Sequence, residues 1–164
     1  MILGLDVGST TTKAVLLRRA DNSIVASEYL RTNGDPVGAS RNCYRSILDQ
    51  ISEQVDPSDL TVVGLGVCGS GRQIAALHAL TDGVINEIIA HATASVYFDP
   101  AVDTIFEIGG QDAKYTYITN GVPSDYAMNE ACSAGTGSFL EESAAGDLNI
   151  ARAHEIGEIA LQAK

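Results

Sequence analysis

Two glycine-rich stretches carry the residue types that phosphate chemistry needs. In the first, GLDVGSTTTK (residues 4–13), Asp6 ends an apolar run and Gly8 permits a tight turn. Ser9, Thr10, Thr11 and Thr12 then offer hydroxyls and amides ahead of Lys13. Successive N–H groups in such a turn make a concavity for phosphate oxygens, and a carboxylate beside it can hold Mg²⁺ through water. The second stretch, FEIGGQDAK (residues 106–114), repeats the design. Gly109 and Gly110 allow close backbone approach, Gln111 and Asp112 are placed to orient water or metal, and Glu107 and Lys114 flank them. Either stretch alone is an ordinary hairpin turn with an acid nearby; the two together make a stronger case. A third feature is the small-residue run CSAGTG that opens at Cys132.

Strands must hold both turns. The apolar run Ile2–Val7 and its resumption at 14–17 frame the first as a hairpin, and the turn Asp21-Asn22-Ser23 leads to a third strand over 24–29. Three consecutive antiparallel strands differ from the usual start of a dinucleotide-binding unit. Asp35-Pro36 then predicts a helix start, with Ser40, Tyr44, Ile47, Leu48, Ile51 and Val55 recurring at helical steps until the break at 57–59. Residues 61–67, apolar on both faces, read as a strand inside a sheet covered by helices, ending in the turn CGSGR. Short helices are expected over 72–80 and 87–97, the second capped by Asn86, with Asp99-Pro100 closing the region. Thr104–Ile108 and residues 114–119 flank the second glycine loop, and Asn120-Gly121 predicts a hairpin into Val122–Met128. A helix from near Thr136 to Gly146 and a last one over 151–164 complete the order.

Composition bounds the rest. With 164 residues, 45% of them apolar, the chain is long enough for one domain with a core. A formal net charge of −11 repels nucleic acid and anionic lipid as a whole, leaving anion binding to local sets of amides. No apolar run reaches membrane-spanning length and no basic leader precedes the first motif, so a cytoplasmic location without membrane contact is expected. Cys43, Cys68 and Cys132 are three and widely spaced, which argues against a disulfide framework and for reduced thiols or metal ligands. Cys43 lies beside a helix's apolar face and Cys68 ends a strand, so packing is expected of both. His91 reads as a satisfied histidine, and His78 and His154 carry no signal. The final helix stops without Gly or Pro, so the chain reads as a single lobe, 1–164, of something longer, its last helix leading onward.

The paired loops resemble the phosphate loops of the actin, heat-shock chaperone and sugar-kinase superfamily. A narrower resemblance rests on EIGGQDAK joined to MNEACSAGTGSFLEE (residues 128–142), with GLDVGSTTTK, the Gly-x-Gly-Arg turn at 69–72 and His91-Ala92 in the same order. This set resembles the ATP-dependent activators of 2-hydroxyacyl-CoA dehydratases and benzoyl-CoA reductases, over nearly the whole chain. The resemblance implies a ribonuclease H-like α/β fold, with an antiparallel three-strand start to a mixed sheet and flanking helices. It implies loops that face each other across a cleft between two lobes, and ATP as cofactor. It also implies a [4Fe–4S] cluster shared between two subunits of a homodimer, with Cys132 as one ligand and a second ligand cysteine further along than Lys164. A helix-start thiolate beside Ser133, Ala134 and Gly135 suits that role, because exposed amides favour the negative charge. Glu107 stands where an aspartate is usual in these proteins, and Glu130-Ala131 where Asp-Lys is frequent.

On this resemblance Asp6 and Glu107 organise Mg²⁺, residues 8–13 with Gly109, Gly110 and Lys114 hold phosphates, and Gln111 or Asp112 orients the attacking water. The implied function is an ATPase that drives electrons from a ferredoxin or flavodoxin donor to a dehydratase or reductase component. Two other readings stay open: a small-molecule kinase without a cluster, in which Asp112 is the base, and a non-enzymatic actin-like regulatory module. The G-x-x-x-x-G-K-[ST] loop and a G-x-G-x-x-G signature after a strand are both absent.

Overall fold

The computed structural model describes residues 1–53, 56, 60–132, 134–151 and 153–163. The sequence expectations at Val55, 57–59, Ser133 and Lys164 fall outside these. The chain forms two compact units, Met1–His91 and Ala92–Lys164. The glycine loops fall one in each.

The first unit is built on a four-stranded sheet ordered β3-β2-β1-β4. β1 (Ile2–Val7), β2 (Thr11–Leu17) and β3 (Ile24–Arg31) form an antiparallel meander, and β4 (Gly64–Cys68) runs parallel to β1. Alternation decides which face is core. Leu5 and Val7 of β1, Ala14 and Leu16 of β2 and Ala26 of β3 are buried, as period-two patterning requires. They pack with Cys43, Ile47 and Ile51 of α1 (Pro36–Ser52) and Ala75 and Ala76 of α2 (Arg72–Ala79) in one apolar cluster. α1 starts where Asp35-Pro36 predicts: the Asp35 carboxylate accepts from Gly38 N at 2.8 Å. Its buried stripe runs through Ala39, Ser40, Cys43, Ile47 and Ile51, while Leu48 is exposed.

The strand expected over 61–67 is corrected to Gly64–Cys68, and it lies last in the sheet order rather than inside. Its partner explains the late start, because β1 begins opposite it at the Ile2–Gly64 register. Residues 61 and 63 bond to Met1: its ammonium donates to Thr61 O at 2.7 Å, and Val63 N donates to Met1 O at 2.9 Å. The outer side of β4 is closed by an isolated parallel bridge from Val67 to Val84.

The second unit carries a three-stranded antiparallel sheet, β5 (Thr104–Ile108), β6 (Ala113–Thr119) and β7 (Val122–Met128), with β6 in the middle. Asn120 and Gly121 both take positive φ, 54° and 77°, which is the turn this dipeptide selects. α3 (Glu87–Phe98) precedes the sheet and contains the boundary between the units; Asn86 Oδ1 accepts from Ile88 N at 2.8 Å at its start. α4 (Gly137–Leu148) and α5 (Ala153–Leu161) come after the sheet. Gly146, expected to end α4, lies within it. The terminator is Asn149, which takes the left-handed conformation at φ 56° that asparagine tolerates better than other side-chain-bearing residues. Among the described residues no helix is long and apolar enough to cross a membrane.

Candidate functional site

Each glycine loop is closed by the same backbone bond. In the first, Gly8 N donates to Thr11 O at 2.9 Å; in the second, Gly109 N donates to Asp112 O at 2.8 Å. In each, the strand before the loop presents an acid directly opposite a lysine on the strand after it, Asp6 against Lys13 and Glu107 against Lys114. The pairs close as salt bridges of 2.9 Å and 3.4 Å. Acid, glycine, turn acceptor and lysine therefore recur at a constant offset of 101 residues. Space favours glycine at both positions. A Cβ on Gly8 would lie 2.9 Å from Thr11 O, and one on Gly109 3.0 Å from Asp112 O.

The first loop rests on neighbours that fix its shape. Thr32 Oγ1 donates to Gly8 O at 2.8 Å, Thr32 N donates to Thr10 O at 2.9 Å, and the Thr12 and Thr32 hydroxyls meet at 2.9 Å. Thr12 is fully buried, so its hydroxyl serves the core, whereas Ser9, Thr10 and Thr11 lie at the turn. Lys13 Nζ also sits 5.5 Å from the centre of the Tyr29 ring. The CGSGR turn docks against the end of β1: Gly71 N donates to Val7 O at 2.7 Å. Gly69, at φ +91°, approaches so closely that a Cβ there would come within 2.5 Å of both Asp6 Oδ1 and Val7 O.

Three residues around the CGSGR turn, Cys68, Arg72 and Glu87, were not among the candidate site residues of the sequence. Cys68 is the parallel-strand neighbour of Asp6, and Arg72 reaches Gly69 O at 3.0 Å and the Glu87 carboxylate at 3.8 Å. Burial, followed by the Asp6 and Glu87 charges, pushes the Cys68 thiol up to about 12. Burial and the Glu28 charge likewise push Cys43 up to about 11; it is packed in the core with its thiol directed at Thr12 O, 3.8 Å away. Both stay protonated at neutral pH, as expected of packing cysteines. The signal for Arg72 and Glu87 was present in the sequence as a glycine turn ending in arginine and a capped helix opening on an acid.

The second loop is tied to the helix beyond it. Gly137 N donates to Gly109 O at 2.8 Å, Ser138 N to Gly110 O at 3.1 Å, and Gln111 Nε2 to Ser138 Oγ at 3.2 Å. The first amides of α4 are thus spent on the loop's carbonyls. This corrects the expectation for Cys132: it is exposed in the turn ahead of α4, not at the helix start, and the helix is capped at the buried Thr136. Lys114, a phosphate candidate, is 8% exposed with its ammonium held at Glu107. Among the described residues no three His, Cys, Asp or Glu gather to hold a metal ion.

A meander bearing a closed glycine loop, with an acid and lysine paired across its root, defines this chain as an actin-like ATPase fold. The fold is shared with solved structures of the activator of 2-hydroxyisocaproyl-CoA dehydratase from Clostridium difficile with bound ADPNP (TM-score 0.81, 30% identity, 99% of this chain and 57% of that chain). It is shared more distantly with the ethanolamine utilization protein EutJ from Carboxydothermus hydrogenoformans (TM-score 0.65, 14% identity, 96% of this chain and 60% of that one). Residues 3–164 match the BadF/BadG/BcrA/BcrD ATPase family, and the chain belongs to that family. A curated relative, the (R)-2-hydroxyglutaryl-CoA dehydratase activating ATPase of Acidaminococcus fermentans, is 32% identical over 139 residues, covering 85% of this chain and 50% of the relative. The chain spans about half the length of the curated relatives it matches.

Proposed function

We propose that this chain is the ATP-binding and ATP-hydrolysing part of an activator that drives low-potential electrons into a 2-hydroxyacyl-CoA dehydratase or benzoyl-CoA reductase-type enzyme. The observation that carries the reading is the duplicated loop, with the same glycine closure and acid–lysine pair in both units. In this reading the amides and hydroxyls of Ser9, Thr10 and Thr11 bind phosphate oxygens, and the backbone at Gly109 and Gly110 does the same. Lys13, partly exposed, can exchange its Asp6 partner for a phosphate. Asp6, 30% exposed, and Glu107 suit Mg²⁺, which takes one or two carboxylates with the rest of its ligands from phosphates and water. When bound, that ion neutralises charge on the transferring phosphoryl group. Gln111 or Asp112 orients the attacking water.

A [4Fe–4S] cluster takes four thiolates. Of the three cysteines, Cys43 and Cys68 are committed to packing, so a single chain offers one ligand, the exposed Cys132, and does not by itself fit the group. In this reading Cys132 is one ligand of a shared site, and a second ligand cysteine further along the protein than Lys164, with the same pair from a second copy, completes the four thiolates. A ferredoxin or flavodoxin serves as donor, and a reducing cytoplasm keeps the thiol free.

Titration of ADPNP into the chain, followed by calorimetry, tests the reading. Lys13→Met is expected to weaken binding about tenfold or more, the scale of one charge-assisted bond to phosphate. Cys132→Ser is expected to leave ADPNP affinity unchanged while removing iron and sulfide from the anaerobically purified full-length protein. Absence of ADPNP binding, or full affinity in Lys13→Met, overturns the ATP site; iron retained in Cys132→Ser overturns the cluster role alone.

A further inference from the structure

Between β7 and α4 the chain leaves the sheet, turns through Cys132 and returns as a helix, and both ends of this excursion are fastened to the second glycine loop. At the far end the fastening is the pair of α4 amides on Gly109 O and Gly110 O. At the near end it is one residue, Asn129. Its N–H donates to Ala113 O at 3.0 Å, and its Oδ1 accepts from Ala113 N at 2.9 Å, closing the last rung of the β6–β7 ladder with a side chain. Its Nδ2 donates to Gln111 O at 3.4 Å and also to Ala131 O, the residue next to Cys132. Ala131 O in turn accepts from Ala134 N at 3.1 Å. A single amide group thus bridges the glycine loop and the cysteine turn, and both of its N–H groups can point at carbonyls. Hydrogen bonds weaken steeply with a few tenths of an ångström or some tens of degrees. A loop that shifts to grip phosphate therefore carries the turn with it or breaks these bonds.

We infer that Asn129 is a positioning residue that couples the state of the 109–113 loop to the environment of Cys132. The inference rests on the ATP reading, because nucleotide is what moves the loop. Asparagine is suited to this place: aspartate keeps the acceptor for Ala113 N but loses both donors, and serine is too short to span loop and turn.

The test is the rate of iodoacetamide alkylation at Cys132, resolved from the buried Cys43 and the half-buried Cys68 by peptide mass spectrometry, with and without ADPNP and Mg²⁺. In the wild-type chain nucleotide is expected to change the Cys132 rate by about fivefold, the scale of one hydrogen bond gained or lost. In Asn129→Asp and Asn129→Ser the rates with and without nucleotide are expected to converge, while ADPNP affinity stays within about twofold of wild type, since neither variant removes a phosphate contact. A wild-type Cys132 rate indifferent to bound ADPNP overturns the coupling whatever the variants do, and so does a nucleotide response that survives in both. Absence of ADPNP binding overturns the ATP reading as well, which separates the two failures.

Discussion

Gly69 concentrates the steric demands of the first unit, because its φ of +91° and its approach to Asp6 and Val7 both exclude a side chain. Gly69→Ala is expected to cost about 2 kcal/mol or more, the scale of a forced backbone conformation with an added clash. Urea unfolding measures it, and a cost below half of that would mean the turn relaxes freely. Cys68 gives a pH signature. Its thiol is held well above the ordinary 9.0, so the folded chain binds that proton more tightly than the unfolded chain does. The resulting stability is present below pH 9.0 and is lost as pH rises towards about 12. Unfolding midpoints followed across that window are expected to fall in the wild type and less steeply in Cys68→Ala. The slope left over includes Cys43, raised to about 11, and Tyr44, whose phenol burial also raises.

At the scale of elements, α1 depends on its first turn, where the Asp35 carboxylate answers the Gly38 amide at 2.8 Å. Asp35→Ala is expected to destabilise the chain by about 1 kcal/mol, read from chemical denaturation, whereas Asp35→Ser is expected to be nearly silent. The same helix shows how much of the architecture could be read in advance. Turn chemistry was partly legible, since Asn22 and Asn120, both in turns that the sequence marks, take positive φ. Asp35-Pro36, Asn86 and Asn120-Gly121 each marked a boundary that the structure keeps. Pairing was less legible. Residues 61–63 look like strand, but β1 starts too late to pair with them, and a partner's register is not written in the segment it limits. Gly146 misled for a related reason: a glycine with open space around it is tolerated inside a helix when a better terminator, Asn149, stands three residues on. Both glycine loops were visible as composition. The docking of α4 on the second loop was not, because it runs through backbone groups that every residue carries.

For the whole molecule, the net charge of −11 over 164 residues is a distributed repulsion that no single ion pair offsets. Raising salt from about 0.05 M to about 0.5 M, which shortens the screening length to a few ångströms, is expected to raise the melting temperature by several degrees. An unchanged or lower value would mean that the few cross-strand ion pairs outweigh the excess charge. The three-stranded sheet also has a consequence for handling. β7, one of its outer strands, contains Pro123, which cannot donate to an incoming neighbour. β5, the other, reads Thr-Ile-Phe-Glu-Ile with Phe106 80% and Ile108 64% exposed, and only Glu107 discourages a newcomer. Concentrated stocks of this chain should therefore cloud or gel through that border first, and Phe106→Lys would be the simplest way to keep them clear.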